Sequence, residues 1–578
     1  MTEPVTPEPV TPEPVTPEPV TPEPVTPGPV PSVAGVPVVE VPVVEVPVAV
    51  VGNGPVGQTA ALLLARWGVP TLLLDGRPRR EAAGSRSIVQ QRDVLDVWEA
   101  AGVGRRIAAE GLTWTTARTF HRDRELFSLT FAEAGRSAFP PFVNISQSRT
   151  ERLLDERIAA EPLIEARWDH LVTGLAQDPA GVTLTCLTAA GRVRVRAAYA
   201  LVCAGAKAER LRGLLGLRFA GRSFDDRFLI CDIRADLPGW ARERRFYFDP
   251  PWNPGRQVLI HPCPGSTYRV DWQVPPGYDE DRELSSGARD ARIRAVIGDR
   301  PYEVVWSSVY RFHSRVVDRM RTGRVLLAGD VAHLVAPFGA RGLNSGVQDA
   351  ENAAWKLAFT LNGWAGEELL DSYHTERHAA ALENLDVTAA TMRFLVPGTE
   401  AERRFRLAAL ETAATDPAAR AAVDSGRLAE PFWYVDSPLT TPDPSRPFAG
   451  RPPRGSVPPA APGVIVPDAP IRVAGERVAR LREVARDGFL LLAAGGVDGA
   501  AAALDAARRA TRAPVRLLRL GDVDAAGTLT RALAARPGEL WVVRPDAHVA
   551  AVLHRPSPPE VAAALCRALG SPAGPPAA

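Results

Sequence analysis

Apolar and polar residues follow different rhythms in successive parts of this chain. Near the start, a β-branched run from Val46 to Val51 is followed by Gly52, Gly54 and Gly57, then by PVGQTAALLLARWG with apolar residues at helical spacing. A second short apolar run, TLLLDG (Thr71 to Gly76), ends beside Asp75. This order predicts strand, tight turn, helix, strand. Helices are also expected around Val94 to Ala101 and after ISQSRTERLLDERIAA, whereas VTLTCLT and VRVRAAYALVCAG, within residues 182–205, alternate as strands do. From 225 to about 312 the rhythm shortens. FLICDIRAD, RRFYFDPP, RQVLIHPCP, TYRVDWQV and EVVWSSVYRF, punctuated by Pro and Gly, predict an antiparallel sheet inserted in an α/β frame. Helical spacing returns from Gly346 to about Val396.

The two ends differ from this middle. Residues 2 to about 30 repeat TPEPV, whose prolines remove donors and hold the backbone extended, so a solvated polyproline II spacer is expected. Residues 430–470 are proline-rich and read as a linker. Beyond them GFLLLAA, VRLLRL and ELWVVRP alternate with alanine-rich helices, the pattern of a small second α/β domain. The expected organisation is a tail (1–45), a frame in two parts (46–224 and 313–400) around the sheet (225–312), a helix and linker (401–470), and a C-terminal domain (471–575).

Composition narrows the function classes. The chain has 578 residues, 46% of them hydrophobic, enough for several cores, and its net charge of +1 argues against nucleic acid or an anionic membrane surface as partner. Lys207 and Lys356 are the only lysines, so the positive charge is almost all Arg. The five cysteines form no CxxC and no metal-ligand spacing, which fits a reducing cytoplasm. No run of about 18 apolar residues is present, and the acidic, proline-rich start lacks the features of a signal peptide. A cytoplasmic protein with no membrane partner is expected.

The glycine turn is the first candidate for chemistry. Gly52 makes the tight turn, Gly54 lets backbone approach a pyrophosphate, and Gly57 lets helix and strand pack closely. The helix N-terminus offers N–H groups and the positive end of its dipole, and Asp75 is placed to accept from a ribose. An ordinary tight turn is the alternative, and the motif does not separate NAD from FAD. A second stretch discriminates: RVLLAGDVAHLVAPFGARGLNSGVQDAENAAWKLAFTL, Arg324 to Leu361. A buried strand ends at Asp330, and a loop with Pro337 leads through Gly339, Gly342 and Gly346 into a helix with a one-sided apolar stripe. Two glycine-rich helix starts, each with a strand-end carboxylate, suit a long cofactor with two recognition ends. A helix N-terminus at a flavin's pyrimidine edge stabilises the charge that appears there on reduction.

GNGPVG together with GDVAHLVAPFGARGLNSGVQDAENAAWKL resembles the FAD-dependent aromatic hydroxylase family, the single-component flavoprotein monooxygenases, over roughly residues 46–400. Within it the chain is most similar to the hydroxyphenylpropionate, phenol and polyketide hydroxylases. The resemblance implies a Rossmann-like α/β FAD-binding domain with an inserted antiparallel-sheet substrate domain, and a C-terminal thioredoxin-like α/β domain without a redox thiol pair. It implies that Gly52, Gly54, Pro55, Val56 and Gly57 border the pyrophosphate, and that Asp75 holds the adenosine ribose. Arg86 and its partner Gln147 would reach the cofactor. Asp330 would hold the ribityl chain, with Pro337, Gly342, Leu343 and Asn344 near the flavin ring.

The implied activity is hydroxylation of a small aromatic substrate by dioxygen through a flavin hydroperoxide, with NAD(P)H as reductant; the subunit count is left open, a homodimer included. Phe246, Phe248, Trp252, His261 and Trp272 are candidates for the substrate cover. His313 and His333 are candidates for a base, although a lone histidine is usually structural. One departure stands out. CAGAKAERLRGLLG places Gly205 and Ala206 where the family has Asp-Gly, removing a carboxylate credited with FAD and nicotinamide contacts. Loss of such a charged hydrogen bond costs about 1.5–3 kcal/mol. The alternatives are therefore a divergent flavoprotein with altered or no NAD(P)H use, or a non-catalytic FAD-binding partner of a related hydroxylase. An NAD dehydrogenase would leave the second motif unexplained.

Overall fold

The computed structural model describes residues 43–81, 87–131, 137–451, 458–473, 479–497 and 499–571. The TPEPV repeat and Arg86 lie outside the described residues. Strand β1 (Val43–Val51) turns into helix α1 (Pro55–Arg66) and returns as β2 (Thr71–Leu74). Helix α2 (Arg92–Ala100) follows. Strands β3 (Thr116–His121) and β4 (Arg124–Thr130) then leave for a second sheet before α3 (Gln147–Ala159) and β5 (Ile164–Arg167) return to the first. The hairpin β6 (Leu171–Asp178) and β7 (Gly181–Thr188) leads into β8 (Gly191–Val202). Strands β9 (Phe219–Ala235), β10 (Glu243–Phe248), β11 (Gln257–Cys263), β12 (Thr267–Val274) and β13 (Tyr302–Val317) make most of the second sheet. The chain re-enters the first at β14 (Val325–Leu327), makes a short 3-10 turn and the two-residue strand β15 (His333–Leu334), and continues as α4 (Arg341–Leu361) and α5 (Glu368–Leu395).

The first sheet runs β14-β8-β1-β2-β5 with all four pairings parallel, and β7 and β6 extend it antiparallel from β8. Parallel strands covered on both faces read as continuous apolar runs, and Val48, Ala49 and Val50 are fully buried. Strand β1 begins three residues before the β-branched run, with Pro47 inside it. The register with β8 passes from Val46 opposite Ala197 to Val48 opposite Tyr199, so the N–H that Pro47 lacks interrupts the ladder at that one position. Helices α1 and α4 pack together on the sheet through small residues, Ala60 and Ala61 on one and Ala350 and Ala354 on the other.

The second sheet runs β15-β13-β9-β12-β11-β10-β3-β4. Its core is the insertion expected from the sequence, but residues 116–130 also belong to it. β3 pairs in parallel with β10, register Thr116 to Glu243 through His121 to Phe248. Alternation along TARTFHRDRELFSLT signals a hairpin, whereas the sheet it joins is decided by the free edge that β10 offers.

The C-terminal part contains α6 (Leu481–Ala485), β16 (Phe489–Ala493), α7 (Ala500–Ala510), β17 (Val515–Arg519), β18 (Glu539–Val543), β19 (Val549–His554) and α8 (Pro558–Ala568). Its sheet runs β17-β16-β18-β19, with β16 and β17 parallel and the other pairs antiparallel. Leu491 and Val542 on one face pack against Ala507 and Leu565 of α7 and α8, and against Trp355 and Phe359 of α4. The stretch before it is no loose tether. Trp433, Tyr434, Leu439, Val464 and Val466 are all buried.

Arginines fasten this part to the frame. Arg482 Nη1 donates to Asp93 (2.6 Å) and Asp96 (2.9 Å) on α2, and Arg486 Nε donates to Glu351 on α4 (2.7 Å). Burial pushes Asp96 up to about 6, with Arg482 and Arg486 opposing and Asp93 adding to the rise. Arg482→Met strands two buried carboxylates and is expected to cost about 3 kcal/mol. A carboxyl whose folded pKa lies above its unfolded one loses stability as pH rises between the two. The variant's deficit should therefore shrink from pH 7 to pH 5 as Asp96 is protonated; melting both proteins at the two pH values checks it.

Candidate functional site

The turn after β1 is built by contact as much as by conformation. Gly52 has φ +111°, and a Cβ there would lie 2.4 Å from the Cys203 carbonyl oxygen at the end of β8. A Cβ on Gly57 would lie 1.9 Å from the Gly52 oxygen, so α1 starts as close to β1 as backbone allows. At Gly54 the same construction meets nothing within 4 Å. Pro55 fills the first helical position, where an N–H is not needed. The first-turn N–H groups that follow have no intrahelical acceptor and make an anion site at this open corner. At the end of β2, Asp75 accepts the Asn53 N–H at Oδ2 (2.8 Å). It also takes Arg77 Nε at Oδ1 and Nη2 at Oδ2, both at 2.9 Å. Burial works to raise this carboxyl, but the Arg77 and Asn53 hydrogen bonds outweigh it and hold it below the ordinary carboxylate range.

The second loop is held from behind. Asp330 lies in the 3-10 turn Gly329–Val331. Fully buried Asp349 of α4 accepts the Gly329 N–H (2.9 Å) and pairs with His333 Nε2 (2.7 Å) at Oδ2, and accepts Arg377 Nε (2.6 Å) at Oδ1. Burial raises the Asp349 carboxyl, yet Arg377 and His333 together bring it down to about 2. Arg377 also donates to Ser345 O (3.2 Å) and Tyr434 Oη (3.1 Å), which fixes the start of α4. Val56 joins the two loops. A Cβ on Gly346 would stand 2.7 Å from Val56 Cγ2, and one on Gly329 would stand 3.1 Å from the same atom.

Both loops open onto one cavity of about 1020 Å³, at the upper limit of the roughly 300–1,000 Å³ usual for a small-molecule site. Gly52, Gly54, Pro55, Val56, Asp75, Gln147, Asp330, Pro337, Gly342 and Leu343 line it. Gly57 sits behind the turn. Asn344 is a strut: its Oδ1 accepts the Gln91 N–H (2.9 Å) and its Nδ2 donates to Val89 O (3.0 Å). Gln147 accepts the Ser87 N–H at 3.3 Å. Ala204, Gly205, Ala206, Lys207 and Arg210 border the cavity, so the turn expected to carry Asp-Gly presents cationic side chains at its edge.

The far wall is the second sheet, presenting Phe228, Ile230, Leu259, Trp306, Tyr310 and Phe312. Of the five cover candidates only His261 lines the cavity. Trp272 packs with Tyr268 and Val270 on the opposite face, and Trp252 lies edge-on to Tyr247 at 5.5 Å. Phe246 and Phe248 pack with Phe394 of α5. The two-residue period decides this for Trp272, since Asp271 and not Trp272 is opposite Leu259; Phe246, also opposite Leu259, shares that face but is covered by the Phe248 and Phe394 cluster. Neither base candidate reaches the cavity either. His333 is spent on Asp349, and His313 Nδ1 is 2.8 Å from Ser223 Oγ.

The FAD binding domain family matches residues 45–388, which is more than half of the chain. The chain belongs to this family. Among curated relatives, it is 28% identical over 350 residues to the 3-(3-hydroxy-phenyl)propionate/3-hydroxycinnamic acid hydroxylase of Mycobacterium sp. (strain JLS), covering 60% of each protein. It is 30% identical over 378 residues to the protein of the same name from Paraburkholderia xenovorans (strain LB400), covering 64% of this chain and 58% of that one. The chain thus spans about 60% of the length of the curated relatives it matches. Among solved structures, the flavin-dependent monooxygenase PieE, in complex with FAD and substrate, superposes with a TM-score of 0.79 at 25% identity, over 92% of this chain and all of PieE.

The residues present fit FAD. Gly54 faces open space and Gly342 has nothing nearer than 3.9 Å to a Cβ, so backbone at both helix starts lies bare to the cavity. One elongated ligand can therefore rest on both, with Asp75 and Asp330 toward its two sugar-like parts. Sequence reasoning missed Asp349, Arg377 and Arg341. Arg341 is 2% exposed; it donates to Asn384 Oδ1 (2.7 Å) and to the carbonyls of Arg427 and Leu428, and burial lowers it to about 10. The available signal was polar residues, Asp349, Asn352 and Lys356, on a helix that is otherwise apolar on the same side. Among the described residues no helix is long and apolar enough to cross a membrane, and no cluster of three or more His, Cys, Asp or Glu could hold a metal ion.

Proposed function

We propose that the protein is an FAD-dependent monooxygenase that hydroxylates an aromatic substrate of phenolic or polyketide type, with dioxygen as co-substrate and NAD(P)H as reductant. One observation carries this reading: the two glycine loops, in contact through Val56, open onto a single cavity whose opposite wall is an aromatic-lined sheet. The hydroxylase names of the relatives and the fold shared with PieE support it. FAD held there would supply the redox chemistry that activates dioxygen for transfer to the ring. The chain's own contribution is positional. Turn N–H groups and the start of α1 would hold the diphosphate, Asp75 and Asp330 would accept from sugar hydroxyls, and the α4 N-terminus would stabilise charge on the flavin. The apolar sheet wall excludes water from the reacting pair.

Anaerobic mixing of the flavin-loaded protein with NADH and NADPH tests this. The expected result is loss of flavin absorbance, faster when an aromatic ligand is bound. A preparation that stays colourless after incubation with FAD overturns the reading at its root. Bound flavin that dithionite reduces but neither nicotinamide does would retain the cofactor and remove the reductant. In that event, restoring aspartate and glycine at Gly205 and Ala206 tests whether this turn is the cause.

A further inference from the structure

The cavity wall formed by the second sheet carries a polar row that the cofactor does not need. On one face of the sheet Arg244, His261, Arg269, Asp232 and Trp306 follow one another across β10, β11, β12, β9 and β13. The pairings His261 to Arg269, Arg269 to Asp232, and Asp232 to Trp306 fix that order. Asp271 stands in the next row, opposite Leu259 and Ile230. Four of these groups are deeply buried, with Arg244 3% exposed, His261 7%, Arg269 2% and Asp232 8%. Charges are rarely placed so deep on a sheet face without a task.

Part of the row is internally satisfied. Arg269 donates Nε to Asp232 Oδ1 (2.7 Å) and Nη2 to Oδ2 (2.9 Å), a two-point pair, and Arg244 Nη2 donates to Ser425 O (2.7 Å). Two polar atoms remain. Asp271 Oδ1 and His261 Nδ1 are shut away from solvent with no hydrogen-bond partner among the described residues, and both side chains line the cavity. Buried polar atoms are normally partnered, so this corner is complete only when a ligand brings a polar group to it. The surrounding wall is Ile230, Leu259, Trp306 and Tyr310, so that ligand is an aromatic body with a polar edge.

We propose that Asp271 is the base that takes the proton of an acidic aromatic or enolic hydroxyl on the substrate, and that Arg244 and Arg269 hold the oxyanion so formed. The proposal rests on the hydroxylase reading and narrows its substrate class. The step balances without a redox partner: the substrate O–H bond breaks, an Oδ–H bond forms on Asp271, and the electron pair stays on the substrate oxygen. An oxyanion enriches the ring that an electrophilic oxygen attacks. The charged and titratable groups around Asp271 are Arg269 on its own strand, Arg244 (β10), His261 and Cys263 (β11) and Asp232 (β9). Burial and Asp232 raise the Asp271 carboxyl to about 7 against Arg269 and Arg244. Burial and the same two arginines hold His261 far below its ordinary value, hence neutral. Of the two, Asp271 is the group that exchanges a proton near neutrality.

The test is a proton inventory on the flavin-loaded protein. The probe is 4-fluoro-1-naphthol, with its methyl ether as control, at about pH 8, above the Asp271 value of about 7. The 19F shift reads whether the bound naphthol is ionised. Calorimetry in two buffers of different ionisation enthalpy reads protons released. The wild type should bind naphtholate with no net proton release, because Asp271 keeps the proton. Asp271→Asn should either release one proton per naphtholate bound or leave the naphthol neutral. Identical ionisation and proton release in the two proteins overturns the proposal. So does a wild type that binds the methyl ether as well as the naphthol, or takes up neither. Should Asp271→Asn fail to fold, the wild type alone decides: neutral bound naphthol, or a released proton, overturns it. Flavin retained in any of these outcomes leaves the cofactor reading standing; flavin lost from the wild type removes that reading instead.

Discussion

Asp349→Ala is expected to lower stability by about 3–5 kcal/mol and to yield protein that no longer holds flavin. The carboxylate is fully buried and answers three donors at once, the Gly329 N–H, His333 and Arg377. Removing it leaves the Arg377 guanidinium buried, with Ser345 and Tyr434 as its remaining hydrogen-bond partners. It also frees the 3-10 turn that carries Asp330. A mere packing defect would lower the melting temperature and leave flavin affinity alone. Here both should fall together, as thermal melts and flavin fluorescence titration would show. The pH dependence has a definite sign. Asp349 titrates at about 2 in the folded state, below an ordinary value near 3.8. Its contribution is thus fully present above pH 4 and is lost as pH falls toward 2. The variant should lack that part of the wild type's acid sensitivity. An Asp349→Ala protein with unchanged flavin affinity would show that the turn holds its shape unaided.

Gly346→Ala is the second large effect. The added methyl would stand 2.7 Å from Val56 Cγ2 and 3.2 Å from the Gly329 Cα, so the helix start must move away from the first glycine turn. Overpacking of this kind costs about 1–3 kcal/mol. Because the displaced surfaces are the two ends of one binding site, the cost should appear as a roughly 5- to 150-fold rise in the FAD dissociation constant. Val56→Ala removes the opposing methyl groups. The double variant Val56→Ala, Gly346→Ala should recover most of the lost affinity, with a remainder from the Gly329 contact. A double-mutant cycle on FAD binding measures the coupling. Additive effects would mean that the two loops do not touch.

These two variants also show what the sequence disclosed. The glycine loops were readable because the demands on Gly52, Gly54 and Gly342 are local: a turn, a bare helix start, a neighbouring strand end. Of the twelve described residues expected at the cofactor, all but Gly57 and Asn344 line the cavity. Asn344 shows the limit, since a motif gives a residue's neighbourhood but not its direction, and this side chain turns back to Val89 and Gln91. The sheet wall was misread for a related reason. Aromatic residues drew attention as a substrate cover, yet Trp272, Phe246 and Phe248 serve the core, while the cavity receives Arg244, Arg269 and Asp271. On a strand, charged residues ordinarily mark the solvent face, and here a binding cavity takes the place of solvent. Asp349 and Lys356 were hidden by distance, because their partners lie on α5, twenty or more residues further along the chain.

The arginine bracing of the C-terminal part has a consequence for how the molecule comes into being. Asp93, Asp96 and Glu351 belong to helices that are synthesised earlier, and Arg482 and Arg486, which pair with them, leave the ribosome more than a hundred residues later. Glu376 on α5 waits in the same way for Arg544. Until then the nascent frame carries carboxylates that belong in its interior and lack their guanidinium counterparts, so it can collapse but cannot lock. This later segment acts less as an appendage than as the keystone that locks an arch already standing.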